Sequence, residues 1–262
     1  MSIAAPGVFS VPARHNPRLQ AVLERINADD ELQQWWRCAN ITAIERLGLS
    51  DHGEVHARIV ANAGLRLLRL LGEGGHTPHL CLNYSLPRDD AEVLIVLAAA
   101  MHDLGLALHS QRSAELGLSV ALPKLQQILQ PVYGPRERTI LLAEIAHAIG
   151  AHHGVGPALT LEAGVLSLAD ALDMAKGRMR RPALEETAPP AVDAAVEEIS
   201  LRRGAPRPVR VEVRLNQAIG AAYAHTVLRR RLANSPLAAS VEIYAQLAGV
   251  PDQRLYPNDF AA

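Results

Sequence analysis

"AEVLIVLAAAMHDLGLALHS", residues 91–110, decides how this chain is read. An unbroken apolar run, Val93 to Met101, ends on His102 and Asp103. With Asp89 or Asp90 placed to cap its start, the run predicts a helix buried on all sides. A helix end that merely reaches water accounts for one polar residue. A histidine beside an aspartate also offers imidazole and carboxylate together, a borderline-to-hard donor pair suited to Fe, Mn, Zn, Co or Mg. Neighbours on an ideal helix point roughly 100° apart, so one ion takes both only where the helix breaks. Gly105 permits such a break.

Outward from this rod the chain reads as helices. Residues 29–48 carry acids in their first turn and stop at Gly48. Residues 51–75 hold apolar positions at 55, 59, 60, 63, 67, 70 and 71, one helical face, with Asp51 and Glu54 spaced as a capping box. Residues 76–90 read as a loop, while 136–154 and 160–177 read as helices, the second capped by Thr160. After 180 the texture changes. "RRPALEETAPPA" (180–191) is a proline-containing linker and "VDAAVEEISLRRG" a short helix. "PVRVEVRL" (208–215) alternates like a half-exposed strand, 216–235 reads as a helix, and "ASVEIYAQL" (239–247) as a second strand. The expected fold is mainly α: an irregular arm over 1–28, a helical metal-binding domain over 29–180, a linker with a short helix over 181–206, and a small α/β region over 207–262.

Composition narrows the class. In 262 residues, apolar types make up 49% but aromatics 3%, so the core is built from Leu, Ala, Val and Ile. A formal net charge of -1 gives no electrostatic case for a nucleic-acid polymer or an anionic membrane. Two cysteines make no disulfide framework, and neither a signal peptide nor a membrane span is legible, so a cytoplasmic protein is expected.

The 11 histidines are unevenly placed. His52 and His56 sit at i, i+4 on one face, and His147, His152 and His153 crowd one helix end. His15, His76, His79 and His225 stand alone and read as ordinary solvated or capped residues. Asp170 lies inside the apolar "LSLADALDM" (166–174). An ionised carboxylate among Leu and Ala costs several kcal/mol unless it is paired or metal-bound.

The order His56, His102-Asp103, Asp170 resembles the signature of the HD-domain superfamily of metal-dependent phosphohydrolases. "VHARIVANAGLRLLRLL" (55–71) resembles its first ligand helix, "LAAAMHDLG" (97–105) its central pair, and "LSLADALDM" its closing helix. The resemblance covers about residues 50–180. It implies a helical bundle in which His56, His102, Asp103 and Asp170 hold one divalent metal. It also implies hydrolysis of a small phosphorylated substrate, a nucleotide monoester or diester. Asp103 would orient the attacking water, and His152 or His147 would protonate the leaving oxygen.

Some members hold further metals. Those of the cyclic-dinucleotide phosphodiesterase branch place a histidine where this chain has Ser113, in "SAELGLSVAL" (113–122), and add a His-His pair, here "IGAHHG" (149–154). Candidates for a second metal are therefore His109, His147, His152 and His153, with His52 as a stand-in for an acid used by some members. Many members carry a phosphate-facing lysine three residues after the aspartate. Leu106 stands there, which leaves Lys176 or Arg178, in "DMAKGRMRRP" (173–182), to meet a phosphate. Two rivals remain open: a di-iron oxygenase on the same fold, and a silent nucleotide-binding module that signals through residues 208–247. An exposed edge at "VRVEVRL" would support a homodimer.

Overall fold

The computed structural model describes residues 8–154, 156–175, 195–233 and 235–257. Helices α1 (Pro17–Asn27), α2 (Asp30–Ile41), α3 (Glu54–Glu73), α4 (His79–Tyr84), α5 (Arg88–Met101), α6 (Ser113–Leu129), α7 (Pro135–His152) and α8 (Leu161–Ala171) form the body. A four-stranded sheet follows: β1 (Val196–Arg203), β2 (Val209–Leu215), β3 (Val241–Leu247) and β4 (Gln253–Tyr256), with α9 (Ile219–Leu232) crossing between β2 and β3. No helix among the described residues is long and apolar enough to cross a membrane.

α5 is the expected central rod: every residue from Asp90 to Met101 is buried. α3 lies along it, and Gly64 lets the two approach; a methyl group there would stand 2.6 Å from Ile95. α3 buries His56, Ala57, Val60, Ala61, Gly64, Leu65, Leu67 and Leu68, while Val55 and Ile59, expected on the apolar face, are 45% and 42% exposed. The buried stripe is thus turned so that His56 points inward. Asp51 does not form the capping box; its Oδ1 accepts from the Gly53 N–H at 3.0 Å, and Gly53 caps the helix.

The N-terminal segment is not an irregular arm. α1 occupies Pro17–Asn27, capped by Asn16, and Phe9 is buried in a stack on Trp36 with ring centroids 5.4 Å apart. Pro17 at the first helical position and the Asn16 cap are standard start signals that lay inside a stretch too short for clear periodicity. Asp90 caps nothing. It is buried against α1, where Arg18 donates to both carboxylate oxygens at 2.8 Å and the Tyr133 hydroxyl donates to Oδ1 at 2.7 Å. The expected loop over 76–90 contains α4, whose first amides, His79 N and Leu80 N, donate to Glu162 of α8.

The C-terminal sheet has the order β1-β2-β3-β4. β1 and β2 are antiparallel, β2 and β3 parallel, and β3 and β4 antiparallel. Val209, Val211, Val213 and Leu215 alternate inward as the sequence implied. Two expectations fail. The short helix placed on 192–204 is strand β1 over Val196–Arg203, paired with β2 from Val196↔Leu215 to Arg203↔Val209; ladder partners across the intervening turn override the helical spacing of Val196 and Ile199. The α/β unit therefore begins before residue 207. "VRVEVRL" is an interior strand between β1 and β3, so the dimer expected through its edge loses its surface.

The sheet unit docks on the helical body at two places. Gly74 packs on Pro208, and His76 Nε2 lies 3.1 Å from Ser240 Oγ. At the other end, α9 packs on α8, with Ser235 and Leu237 over Gly164.

Candidate metal centre

The apolar rod ends as the helix register breaks. Asp103 leaves α-helical geometry, and Leu104–Ala107 form one tight 3₁₀ turn. Gly105 is required there: a methyl group would sit 1.8 Å from the Ser113 carbonyl oxygen at the start of α6. This close approach bends the chain so that His102 and Asp103 converge instead of splaying. The carbonyls freed at the end of α5 find partners. Trp36 Nε1 donates to Ala100 O at 2.7 Å, and His102 Nδ1 donates to Ala99 O at 2.8 Å.

Four donor atoms from three helices meet. His56 Nε2 lies 3.2 Å from His102 Nε2, 3.3 Å from Asp103 Oδ2 and 3.3 Å from Asp170 Oδ1. His102 Nε2 lies 3.0 Å from Asp103 Oδ2 and 3.9 Å from Asp170 Oδ1. The outer contacts fix which ring nitrogen carries a proton. His56 Nδ1 donates to Asp173 Oδ2 at 2.7 Å, and His102 Nδ1 donates to a carbonyl. Both rings therefore turn Nε2 toward the same point as two carboxylate oxygens. Lone pairs and negative charge so gathered repel one another unless a cation sits among them. Asp103 Oδ2 and His152 Nδ1 are also buried without a hydrogen bond. Two imidazole nitrogens and two carboxylate oxygens fit a divalent metal of the Zn, Fe, Mn or Co type.

A row of imidazoles extends from this centre. Ring centroids run His52–His56 at 5.3 Å, His56–His102 at 5.1 Å, His102–His152 at 5.0 Å and His152–His153 at 4.6 Å. His102, His152 and Asp170 form a second potential ligand group, and Asp103, His152 and His153 a third that shares Asp103 with the first. His52 stands beside these groups rather than in them, holding the Ser50 carbonyl through Nδ1 at 2.7 Å. His153 Nε2 donates to the His102 carbonyl at 2.7 Å.

Two expected site histidines fall elsewhere. His109 is exposed, its Nδ1 accepting from the Gln111 and Arg112 amides at the turn into α6. His147 accepts from the Leu159 amide at 3.2 Å, and neither residue belongs to a ligand group. His147 precedes His152 by five residues, a spacing that carries it off the His152 face. Lys176 and Arg178 lie outside the described residues.

Electrostatics separate the roles. Burial opposes ionisation of Asp103, but His102, His56 and His52 hold its carboxyl well below the usual range. Burial likewise opposes ionisation of Asp170, and His152, His56 and His102 outweigh it. Burial pushes His152 down to about 3, with His102 and His153 adding to the effect and Asp170 opposing it. His152 is therefore neutral at pH 7. Its neutral form offers a lone pair to a metal ion or to a proton.

Two residues here were not singled out from sequence. Asp173, three positions after Asp170 in the same segment, orients His56; the repeated aspartate in "LADALD" was its signal. Arg231, from the end of α9, donates to Asp170 Oδ2 at 3.1 Å and to the His152 carbonyl at 2.9 Å. No local pattern links it to a site so distant in sequence.

The cluster opens into a cavity of about 780 Å³ lined by Leu49, Leu106, Pro157, Ala158, Val227 and Arg230, among others. Comparison with known proteins agrees with this geometry. Residues 53–175 match the HD domain. The chain is 30% identical over 228 residues to an uncharacterized protein of Methanocaldococcus jannaschii, an alignment covering 86% of this chain and 88% of that one. No solved structure gives a significant match.

Proposed function

This chain belongs to the HD-domain family, and from that premise we propose that it hydrolyses a phosphate ester of about nucleotide size with the aid of a divalent metal. One observation carries the reading: His56, His102, Asp103 and Asp170 turn four donor atoms to a single point, with neighbouring distances of 3.0–3.9 Å. A divalent ion held by these four residues supplies Lewis-acid chemistry, drawing charge from a phosphoryl oxygen and making water a stronger acid.

The chain's own groups divide the remaining work. Asp173 and the Ala99 carbonyl hold His56 and His102 through Nδ1, which turns each Nε2 toward the carboxylates of Asp103 and Asp170. Asp103, ionised and partly facing the cavity, is placed to accept a hydrogen bond from the attacking water and aim it. Neutral His152, within 3.8 Å of Asp170, is placed to accept a proton or to hold a second ion with Asp103 and His153. The apolar walls at Leu49, Leu106 and Val227 favour a substrate with a flat apolar part, and the volume lies in the range of small-molecule sites.

The test begins with elemental analysis of protein purified without added metal. A panel of phosphate mono- and diesters with Mn, Fe, Co, Mg and Zn follows. Release of phosphate or cleavage of a diester that needs the metal supports the reading. Two irons per chain with oxygen uptake would replace it by an oxygenase, and tight nucleotide binding without turnover under every metal by a binding module.

A further inference from the structure

The phosphate-binding cation is absent from the place where the resemblance puts it. Leu106 lines the cavity at that point, and the described residues of the helical domain contribute no lysine or arginine to the lining. The permanent positive charges on the described wall are Arg230 and Arg231, both from α9 of the C-terminal unit. Thr226, Val227, Arg230 and Arg231 form one stripe of α9, spaced i, i+1, i+4 and i+5, and all four line the cavity. Ala224, Leu228 and Leu232, on the other side of the helix, are buried. The C-terminal unit thus closes one wall of the metal cavity with a basic face.

The two arginines differ in state. Arg231 is committed: its two terminal nitrogens bond the His152 carbonyl and Asp170 Oδ2. Arg230 is exposed, and among the described residues it has no hydrogen-bond or ion-pair partner. Basic residues in the last turn of a helix are favoured by the macrodipole alone. That effect does not explain why Arg231 reaches away from its own helix into the site, nor why Arg230 stands on the cavity stripe while Arg229 does not.

We propose that Arg230 binds the substrate's phosphate, so that the active site is assembled from both units and the C-terminal sheet is part of the enzyme's binding surface. The planar guanidinium matches two phosphate oxygens at once, which a side chain already tied to Asp170 cannot do. Arg231 anchors the stripe and keeps the end of α9 at the cavity mouth. The proposal rests on the hydrolase reading for the identity of the phosphate as substrate, but its binding step is separable from turnover.

The experiment uses the full chain loaded with Mn²⁺ and titrates inorganic phosphate by calorimetry. Wild type, Arg230→Ala, Arg230→Lys and Arg229→Ala are compared, with Mn²⁺ affinity and circular dichroism measured for each. Arg230→Ala is expected to weaken phosphate binding by about tenfold to a hundredfold, the worth of a charge-assisted bidentate contact. Arg230→Lys should recover part of that loss, and Arg229→Ala should match wild type, with Mn²⁺ affinity the same in all four. Phosphate binding by Arg230→Ala equal to wild type, equal loss in Arg229→Ala, or no phosphate binding by wild type overturns the proposal. A wild type that binds phosphate through Arg230 yet cleaves no ester leaves this site standing and removes the hydrolase reading instead.

Discussion

Asp170 divides its two oxygens between two partners: Oδ1 faces His56 Nε2 at 3.3 Å, while Oδ2 accepts from Arg231 at 3.1 Å. An arginine from the sheet unit thereby sets which oxygen a metal meets. Arg231→Lys keeps the charge but loses the two-pronged reach to Asp170 and the His152 carbonyl. Its Mn²⁺ affinity should fall by about tenfold, the lower end of the effect of losing an outer partner, with the helical circular dichroism unchanged.

Asp173 acts on His56 as Arg231 acts on Asp170. Asp173→Ala removes the acceptor that holds the Nδ1 proton. Metal affinity should drop by about 10–100-fold. A Mn²⁺ titration checks it, and unchanged affinity would remove Asp173 from the site.

Asp103 holds its carboxyl well below the usual range while Oδ2 is buried without a hydrogen bond, so a bound ion would relieve an unfavourable cluster. At about 100 times its dissociation constant a ligand adds about 2.7 kcal/mol, or roughly 5–10 °C in melting temperature for a chain of this size. Chelation should lower the wild-type Tm by that amount. Asp103→Ala should show no response to metal and no hydrolysis.

Gly105→Ala puts a methyl group 1.8 Å from the Ser113 carbonyl. Overpacking of this kind costs about 1–3 kcal/mol or more. Because the shift must move the turn that carries Asp103, urea denaturation should show the loss of stability together with weaker Mn²⁺ binding.

Glu92 gives a pH signature away from the metal. Burial would raise its pKa, but Arg69, Asn16 and His15 outweigh it and hold the pKa below the usual 4.5. A carboxyl lowered in the folded state stabilises above its unfolded pKa, and that contribution is lost as pH falls through the folded one. Glu92→Gln should therefore cost about 1–3 kcal/mol at pH 7, with the gap to wild type closing below pH 4.5. A gap that stays constant with pH would mean the loss is one of packing alone.

The central rod and the break at Gly105 were legible because each leaves a local mark, an apolar run and a glycine after a polar pair, whereas the meeting of His56, His102, Asp103 and Asp170 was legible only through the family resemblance. α1 was missed because Asn16 and Pro17 signal a start only to a reader who expects a helix in a proline-containing stretch. β1 was missed because its partner lies across a turn, and pairing with Val209–Leu215 settles a segment whose own spacing favours a helix. Arg231 and Arg230 were invisible for the same reason at longer range: packing of α9 on α8 brings them to a cavity whose other walls lie more than 50 residues earlier.

A metal site ordinarily reports on the helices that carry its ligands. Here the tie from α9 to Asp170 would make a bound ion report on a neighbouring unit as well. Should the sheet lift away under heat or denaturant, one carboxylate loses its aim while every ligand is still in place. Release of a bound ion would then be an early alarm for loosening in the sheet unit.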